Sequence, residues 1–159
     1  MVDSPRETEL RGAIEDFYFA YRAFTALPDG MLAERGLGRT HHRVLYFVTR
    51  NPGLTVGELL RILDITKQAA HRPIRELVAQ GLLTTTTDQA DGRVRRLSVT
   101  PAGSDLEARL SAAQMRLLDE AFAAAGPGAE PAWRTIMGHL RAPDVALPAE
   151  ERTLRPESR

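Results

Sequence analysis

Apolar residues recur at helical spacing over residues 7–27, where Leu10, Ile14, Phe17, Tyr18, Tyr21 and Phe24 share one broad face. The tetrapeptide LPDG at 27–30 is expected to break that helix. A second helix is expected to start near Thr40 as its N-cap and to carry Val44, Leu45 and Val48 inward, with NPG at 51–53 stopping it. In TVGELLRIL, Thr55 and Glu58 have capping-box spacing, in which each side chain satisfies a backbone donor at the helix start. Val56, Leu59, Leu60 and Leu63 supply its apolar face. The short link DIT leads to TKQAAHRPIRELVAQG, residues 66–81, with Thr66 as N-cap and Gly81 where a left-handed C-cap is wanted. Ala70, Ile74, Leu77 and Val78 mark its inward face. Pro73 interrupts this pattern at a cost of roughly 3 kcal/mol, so the helix either bends after Arg72 or breaks there.

The texture then changes. LLTTTT is rich in β-branched residues, DQADGR supplies turn chemistry, and VRRLSV reads as a returning strand with Leu97 and Val99 on one face. Residues 83–99 are therefore expected to form a β-hairpin with a loop of about six residues. Thr100–Pro101 opens a long helix as cap and first helical residue, carrying Leu106, Leu110, Ala113, Leu117, Leu118, Ala121 and Phe122 up to GPG at 126–128. A last short helix holds Trp133, Ile136, Met137 and Leu140. The proline- and charge-rich stretch 142–159 has little to bury and reads as a mobile tail.

Capped helix, tight link, second helix, glycine and hairpin are the parts of a winged helix-turn-helix, in which the second helix enters the DNA major groove. If Ala70, Ile74, Leu77 and Val78 face the core, then Lys67, Gln68, His71, Arg72 and Arg75 face outward, with Thr66 at the tip. These are donors suited to guanine, adenine and phosphate oxygens. Arg93, Arg95 and Arg96 make the hairpin basic, and an arginine at a wing tip suits the narrow, strongly negative minor groove of A·T-rich DNA. Asp91 is placed to pair with Arg93 and hold its guanidinium.

Charge sharpens this picture. The 159 residues carry no net charge, yet residues 1–34 hold three basic and seven acidic residues (−4), residues 35–96 eleven and five (+6), and residues 97–159 seven and nine (−2). A basic centre between acidic flanks fits an anionic partner for the middle of the chain. Chance clustering on a solvated face is the plainer alternative. There is no cysteine, which removes disulfides, thiolate zinc sites and cysteine nucleophiles. No membrane span or signal peptide is evident, so a cytoplasmic location is expected. No P-loop, HExxH or GxSxG is present, so no enzyme activity and no cofactor are expected.

The run LTVGELLRILDITKQAAHRPIRELVAQGLL followed by DGRVRRLSVTPAG resembles the MarR-type winged-helix regulators over roughly residues 7–141. Its most specific piece is the acidic-x-Arg wing followed by LSVTPAG, which matches the family's Asp-x-Arg…Leu-x-x-Thr-x-x-Gly pattern. Pro73 and a wing loop basic only on its far side depart from that pattern. The resemblance implies a mainly α fold with a small β-hairpin wing (α+β). Residues 1–34 would form a dimerisation helix and linker, 35–100 the DNA-binding domain, with recognition helix 66–80 and wing 83–99. Residues 101–141 would form C-terminal dimerisation helices. It further implies a homodimer, repression at a pseudo-palindromic duplex DNA operator, and release by a small aromatic or anionic effector. The candidate effector lining is Tyr18, Tyr21, Phe24, His41, His42, Tyr46 and Phe47. Each has the plainer reading of core or interface residue. Adjacent histidines point to different faces of a helix and no carboxylate cluster completes a set, so no metal site is expected. Two rival readings remain: a winged-helix protein-interaction module that does not touch DNA, and a small ligand-transforming enzyme.

Overall fold

Leucine does most of the work of holding this chain together. In the computed structural model, which describes residues 3–141, the core gathers Leu32, Leu45, Leu59, Leu77, Leu82, Leu83, Leu97, Leu106 and Leu110 with Val44 and Val48. They come from α1 (Pro5–Ala33), α2 (Arg39–Arg50), α3 (Val56–Leu63), α4 (Lys67–Ala79), β1 (Leu83–Thr87), β2 (Arg95–Val99) and α5 (Pro101–Ala125), with Leu82 in the link between α4 and β1, and α6 (Ala129–Leu140) extends from α5. At roughly 1.5–3 kcal/mol for each buried Leu or Val, this shared set joins the helices and hairpin into one unit. The 142–159 tail lies outside the described residues.

α1 does not stop at LPDG but runs unbroken through Pro28 to Ala33. Proline has no N–H, so the helix loses the donor that would have bonded the Phe24 carbonyl four residues earlier. Gln114 of α5 replaces it: its Nε2 donates to Phe24 O at 3.3 Å. Pro28 is buried, and Leu32 beyond it sits fully in the core. Packing here outweighs the local breaker.

α2 begins at Arg39, with Gly38 rather than Thr40 as its N-cap. Glycine has no capping side chain. The imidazole of His41 serves the helix start instead, its Nδ1 accepting the Gly38 N–H at 3.0 Å.

The Thr55–Glu58 box of α3 forms as the spacing predicts. Glu58 N donates to Thr55 Oγ1 at 3.2 Å, and Thr55 N donates to Glu58 Oε2 at 2.8 Å. The Thr55 backbone donor, then its hydroxyl, holds the Glu58 carboxyl below the usual carboxylate range. A depressed carboxylate stabilises the fold above its unfolded pKa of about 4.3, and that contribution fades as pH falls through the lower folded value. Glu58→Gln is therefore expected to be less stable than the parent near neutral pH. Urea titrations should show the gap closing on acidification, and a gap that is constant with pH would contradict this account.

α4 runs unbroken from Lys67 to Ala79, so Pro73 does not end it. The buried face is Ala70, Pro73 and Leu77. Ile74 is half-buried against the core, but Val78 is 38% exposed and does not belong to the inward set. The proline ring takes an inward position that the apolar periodicity had given to Val78. Gly81 adopts the expected positive φ of 68°, and Leu82 N bonds back to Leu77 O at 2.9 Å to close the helix end.

The hairpin pairs Leu83 with Val99 through to Thr87 with Arg95 in antiparallel register. It is stitched to the loop before α3. Leu97 N donates to Leu54 O at 2.9 Å, and Thr55 bridges to Arg96.

Thr100 then caps α5, its Oγ1 accepting from Gly103 N at 3.0 Å while its hydroxyl donates to Gly81 O at 2.6 Å. Gly103 sits against the Leu82 carbonyl, where no side chain fits.

Candidate nucleic-acid interface and adjoining cavity

α3 and α4 meet at a very tight turn. Asp64 adopts the left-handed region at φ 50°, and Ile65 N bonds back to Leu60 O at 3.2 Å. Aspartate tolerates this conformation better than most side chains. The turn and the inward Ala70 and Leu77 fix which side of α4 faces solvent. Thr66, Lys67, Gln68, His71, Arg72 and Arg75 are all exposed there. Thr66 caps the helix, its Oγ1 accepting from Ala69 N at 3.2 Å. Among the described residues Lys67, Gln68, His71 and Arg75 have no side-chain partner, whereas Arg72 Nε donates to Glu76 Oε1 at 2.8 Å. Helix N-terminal N–H groups and unpaired cations on one face make a surface suited to anions.

The wing loop is ordered by its two aspartates. Asp88 Oδ1 accepts from Ala90 N at 2.8 Å and Asp91 N at 3.0 Å. Asp91 does not hold the Arg93 guanidinium. Its Oδ1 accepts the Arg93 backbone N–H at 2.9 Å, an Asx turn that leaves the Arg93 side chain without a partner among the described residues. A carboxylate two residues before a donor is better placed for that donor's backbone than for a long side chain. Arg96 points the other way: its Nε donates to Asp88 and its Nη1 to Gly53 O at 2.9 Å, so it fastens the hairpin to the α2–α3 loop. These bonds hold the Asp88 carboxyl below its usual range, with Arg96 the largest cause. Arg95 donates to Thr87 across the hairpin at 3.2 Å and remains exposed.

A cavity of about 840 Å³ opens between α1, α2 and α5. Tyr21, Phe24, His42, Tyr46 and Phe47 line it, while Tyr18 and His41 lie outside it. Tyr18 packs on Phe19 farther along α1, and His41 turns toward α4. Adjacent residues of one helix diverge by about 100°, which separates His41 from His42. His42 is buried and its Nε2 has no hydrogen-bond partner among the described residues. Burial pushes its pKa down, against a smaller upward pull from Glu107 and Asp29.

Polar neighbours here escaped sequence reasoning. Arg43 Nη2 donates to Tyr21 OH at 2.9 Å, and Arg39 Nε donates to Asp29 at 2.8 Å while lying over the Tyr21 ring. Glu107, buried on α5, accepts a hydrogen bond from Ser111. The available signal was position: Glu107 interrupts the inward stripe of Gly103, Leu106, Leu110 and Ala113, where a carboxylate is costly unless it has partners. Among the described residues no group of three or more His, Cys, Asp or Glu is arranged to hold a metal ion. No helix among them is long and apolar enough to cross a membrane.

The capped α3, the short turn, α4 and the stitched hairpin define a winged helix-turn-helix protein. Comparison with known proteins narrows the class. The sequence profile described as MarR family matches residues 35–94. The HTH-type transcriptional regulator PetP of Rhodobacter capsulatus is 41% identical over 137 residues, covering 86% of this chain and 82% of PetP. The chain belongs to the MarR family of transcriptional regulators, which are not enzymes. Among solved structures, a MarR protein from Peptoclostridium difficile superposes with a TM-score of 0.71 at 18% identity, covering 88% of this chain and 87% of that one. The PcaV transcriptional regulator from Streptomyces coelicolor, in complex with its natural ligand, gives 0.68 at 16% identity over 88% and 96% of the two chains. At these identities the likeness is one of fold.

Proposed function

We propose that two copies of this chain form a repressor that binds a pseudo-palindromic duplex operator and releases it when a small molecule occupies the α1–α2–α5 cavity. The observation that carries the reading is the solvent-facing row of Lys67, Gln68, His71 and Arg75 on α4, unpartnered among the described residues, as is Arg93 at the wing tip. In a two-fold dimer the recognition helices meet successive major grooves, about one helical turn apart. Thr66 and the first turn of α4 meet phosphate and base edges, Gln68 and Arg72 read bases, and Arg93 enters the minor groove. Arg96 secures the wing rather than reading DNA. A ligand that fits only a dimer with misspaced heads lowers operator occupancy by its preference for that shape. Aromatic walls, arginines and the unpartnered His42 imidazole suit a small aromatic or anionic molecule. PcaV, solved with its natural ligand, is a precedent for a ligand-bound protein of this fold.

Selection from random duplex DNA tests this reading. A single pseudo-palindromic motif is expected, with log affinity falling against log salt by about 0.9 per phosphate neutralised. Absence of duplex binding, or a flat salt response, favours a protein-interaction module instead. Arg93→Ala is expected to reduce affinity most for operators with A·T-rich flanks. Equal losses across flanks of all compositions, measured by competition binding, would remove the wing tip from the minor groove.

A further inference from the structure

Both carboxylate oxygens of Glu76 are committed. Oε1 accepts from Arg72 Nε at 2.8 Å, one turn back along α4, and Oε2 lies 2.8 Å from His41 Nε2 on α2. The other ring nitrogen of His41 fixes its tautomer. Nδ1 accepts the Gly38 N–H at 3.0 Å, and a peptide N–H can only donate. The neutral ring therefore carries its hydrogen on Nε2, aimed at Glu76. The three side chains grade from core to surface, at 11%, 32% and 81% exposed for His41, Glu76 and Arg72. Among the described residues nothing tethers Lys67, Gln68, His71 or Arg75 in this way.

The geometry points to His41 and Glu76 as positioning residues for operator reading: His41 fixes the Glu76 carboxylate, which presents the Arg72 guanidinium to DNA in one orientation. This rests on the reading of α4 as the groove helix. An exposed Arg–Glu pair four residues apart contributes little by itself, because both side chains must be ordered to make it. Here the buried imidazole has already ordered the carboxylate. A planar guanidinium held at Nε keeps its two terminal nitrogens free for a bidentate contact, the arrangement that recognises guanine O6 and N7. A flexible arginine would instead settle on whichever phosphate or base lay nearest, adding affinity with less discrimination.

Three variants of the 159-residue chain separate positioning from folding. His41→Asn keeps an acceptor near the Nδ1 position for Gly38 but is too short to reach Glu76. His41→Gln keeps a donor near the Nε2 position but loses the acceptor at the start of α2. Glu76→Gln cannot satisfy the His41 and Arg72 donors together, because only one of its two terminal atoms accepts. The readout is random-duplex selection followed by competition between single-base operator variants. His41→Asn and Glu76→Gln are expected to lose about tenfold discrimination at the base pair whose preference Arg72→Ala abolishes, with other positions within about twofold. His41→Gln is expected to restore that discrimination while unfolding at lower urea. Loss spread evenly over all positions, or His41→Gln failing as His41→Asn does, means a structural role only and overturns the inference. A motif that depends on Arg72 but survives His41→Asn and Glu76→Gln overturns it alone. A parent chain that selects no motif, or an Arg72→Ala chain that selects the parent's, removes the groove reading and the inference with it.

Discussion

Gly103→Ala is expected to lower the unfolding free energy by about 3 kcal/mol, the upper part of the range for overpacking. Helix propensity alone argues the opposite, since alanine is favoured over glycine inside a helix by about 1 kcal/mol. Sterics decide the sign. A Cβ on Gly103 meets the Leu82 carbonyl oxygen at 2.0 Å and the Leu82 carbonyl carbon at 2.9 Å. These are backbone atoms and cannot rotate aside. The same oxygen accepts the Thr100 N–H at 3.1 Å, so moving it also disturbs the junction between β2 and α5. The closing glycine of LSVTPAG is thus where the hairpin root docks on the long helix. Gly138→Ala supplies the control: a Cβ there meets nothing within 4 Å, and the substitution is expected to be neutral or stabilising by up to about 1 kcal/mol. Urea unfolding of both variants checks the pair. A Gly103→Ala chain as stable as the parent would mean that this close approach is not rigid.

A charge at Ile14 is expected to separate the proposed dimer. Ile14 is 69% exposed on the single chain, with Leu10 and Phe17 on the same stretch of α1 also exposed. Leu140, on α6 near the other end of the described chain, is 67% exposed, with Ile136 beside it. Clusters of exposed large apolar side chains mark an interaction site more often than a solvated face. Ile14→Asp places a carboxylate there. In the lone chain it costs little, because it is hydrated. In an apolar interface it lacks a partner and costs several kcal/mol. Sedimentation should show monomer at concentrations where the parent is dimeric, with unchanged helical circular dichroism. Operator affinity is expected to fall by at least about 100-fold, because one head alone loses the high effective concentration of the second. An Ile14→Asp chain that remains dimeric and binds operator normally would exclude this face as the subunit contact.

Local signals made much of this fold legible. Thr55, Thr66 and Thr100 announce three helix starts, and Gly81 announces an end, because each acts on backbone groups within a few residues. The hairpin followed from alternation and turn chemistry. Pro28 misled because its remedy, the Gln114 amide, lies 90 residues away in sequence. Val78 misled because apolar periodicity did not count proline as an inward residue, while the burial of Pro73 shows that it is one. At the candidate site, the exposed row on α4 could be named from the positions of its inward partners. The orientation of Asp91 and the separate surroundings of His41 and His42 could not. Those depend on which of several nearby donors wins, and on helices that meet only in three dimensions.

The bonds that tie Arg96 to Gly53 and Leu97 to Leu54 have a mechanical consequence. They leave the hairpin no hinge of its own relative to the segment that starts α3. Hairpin and the start of α3 shift together, so any release of the proposed operator that withdraws the wing must also carry the segment at Gly53–Thr55 with it.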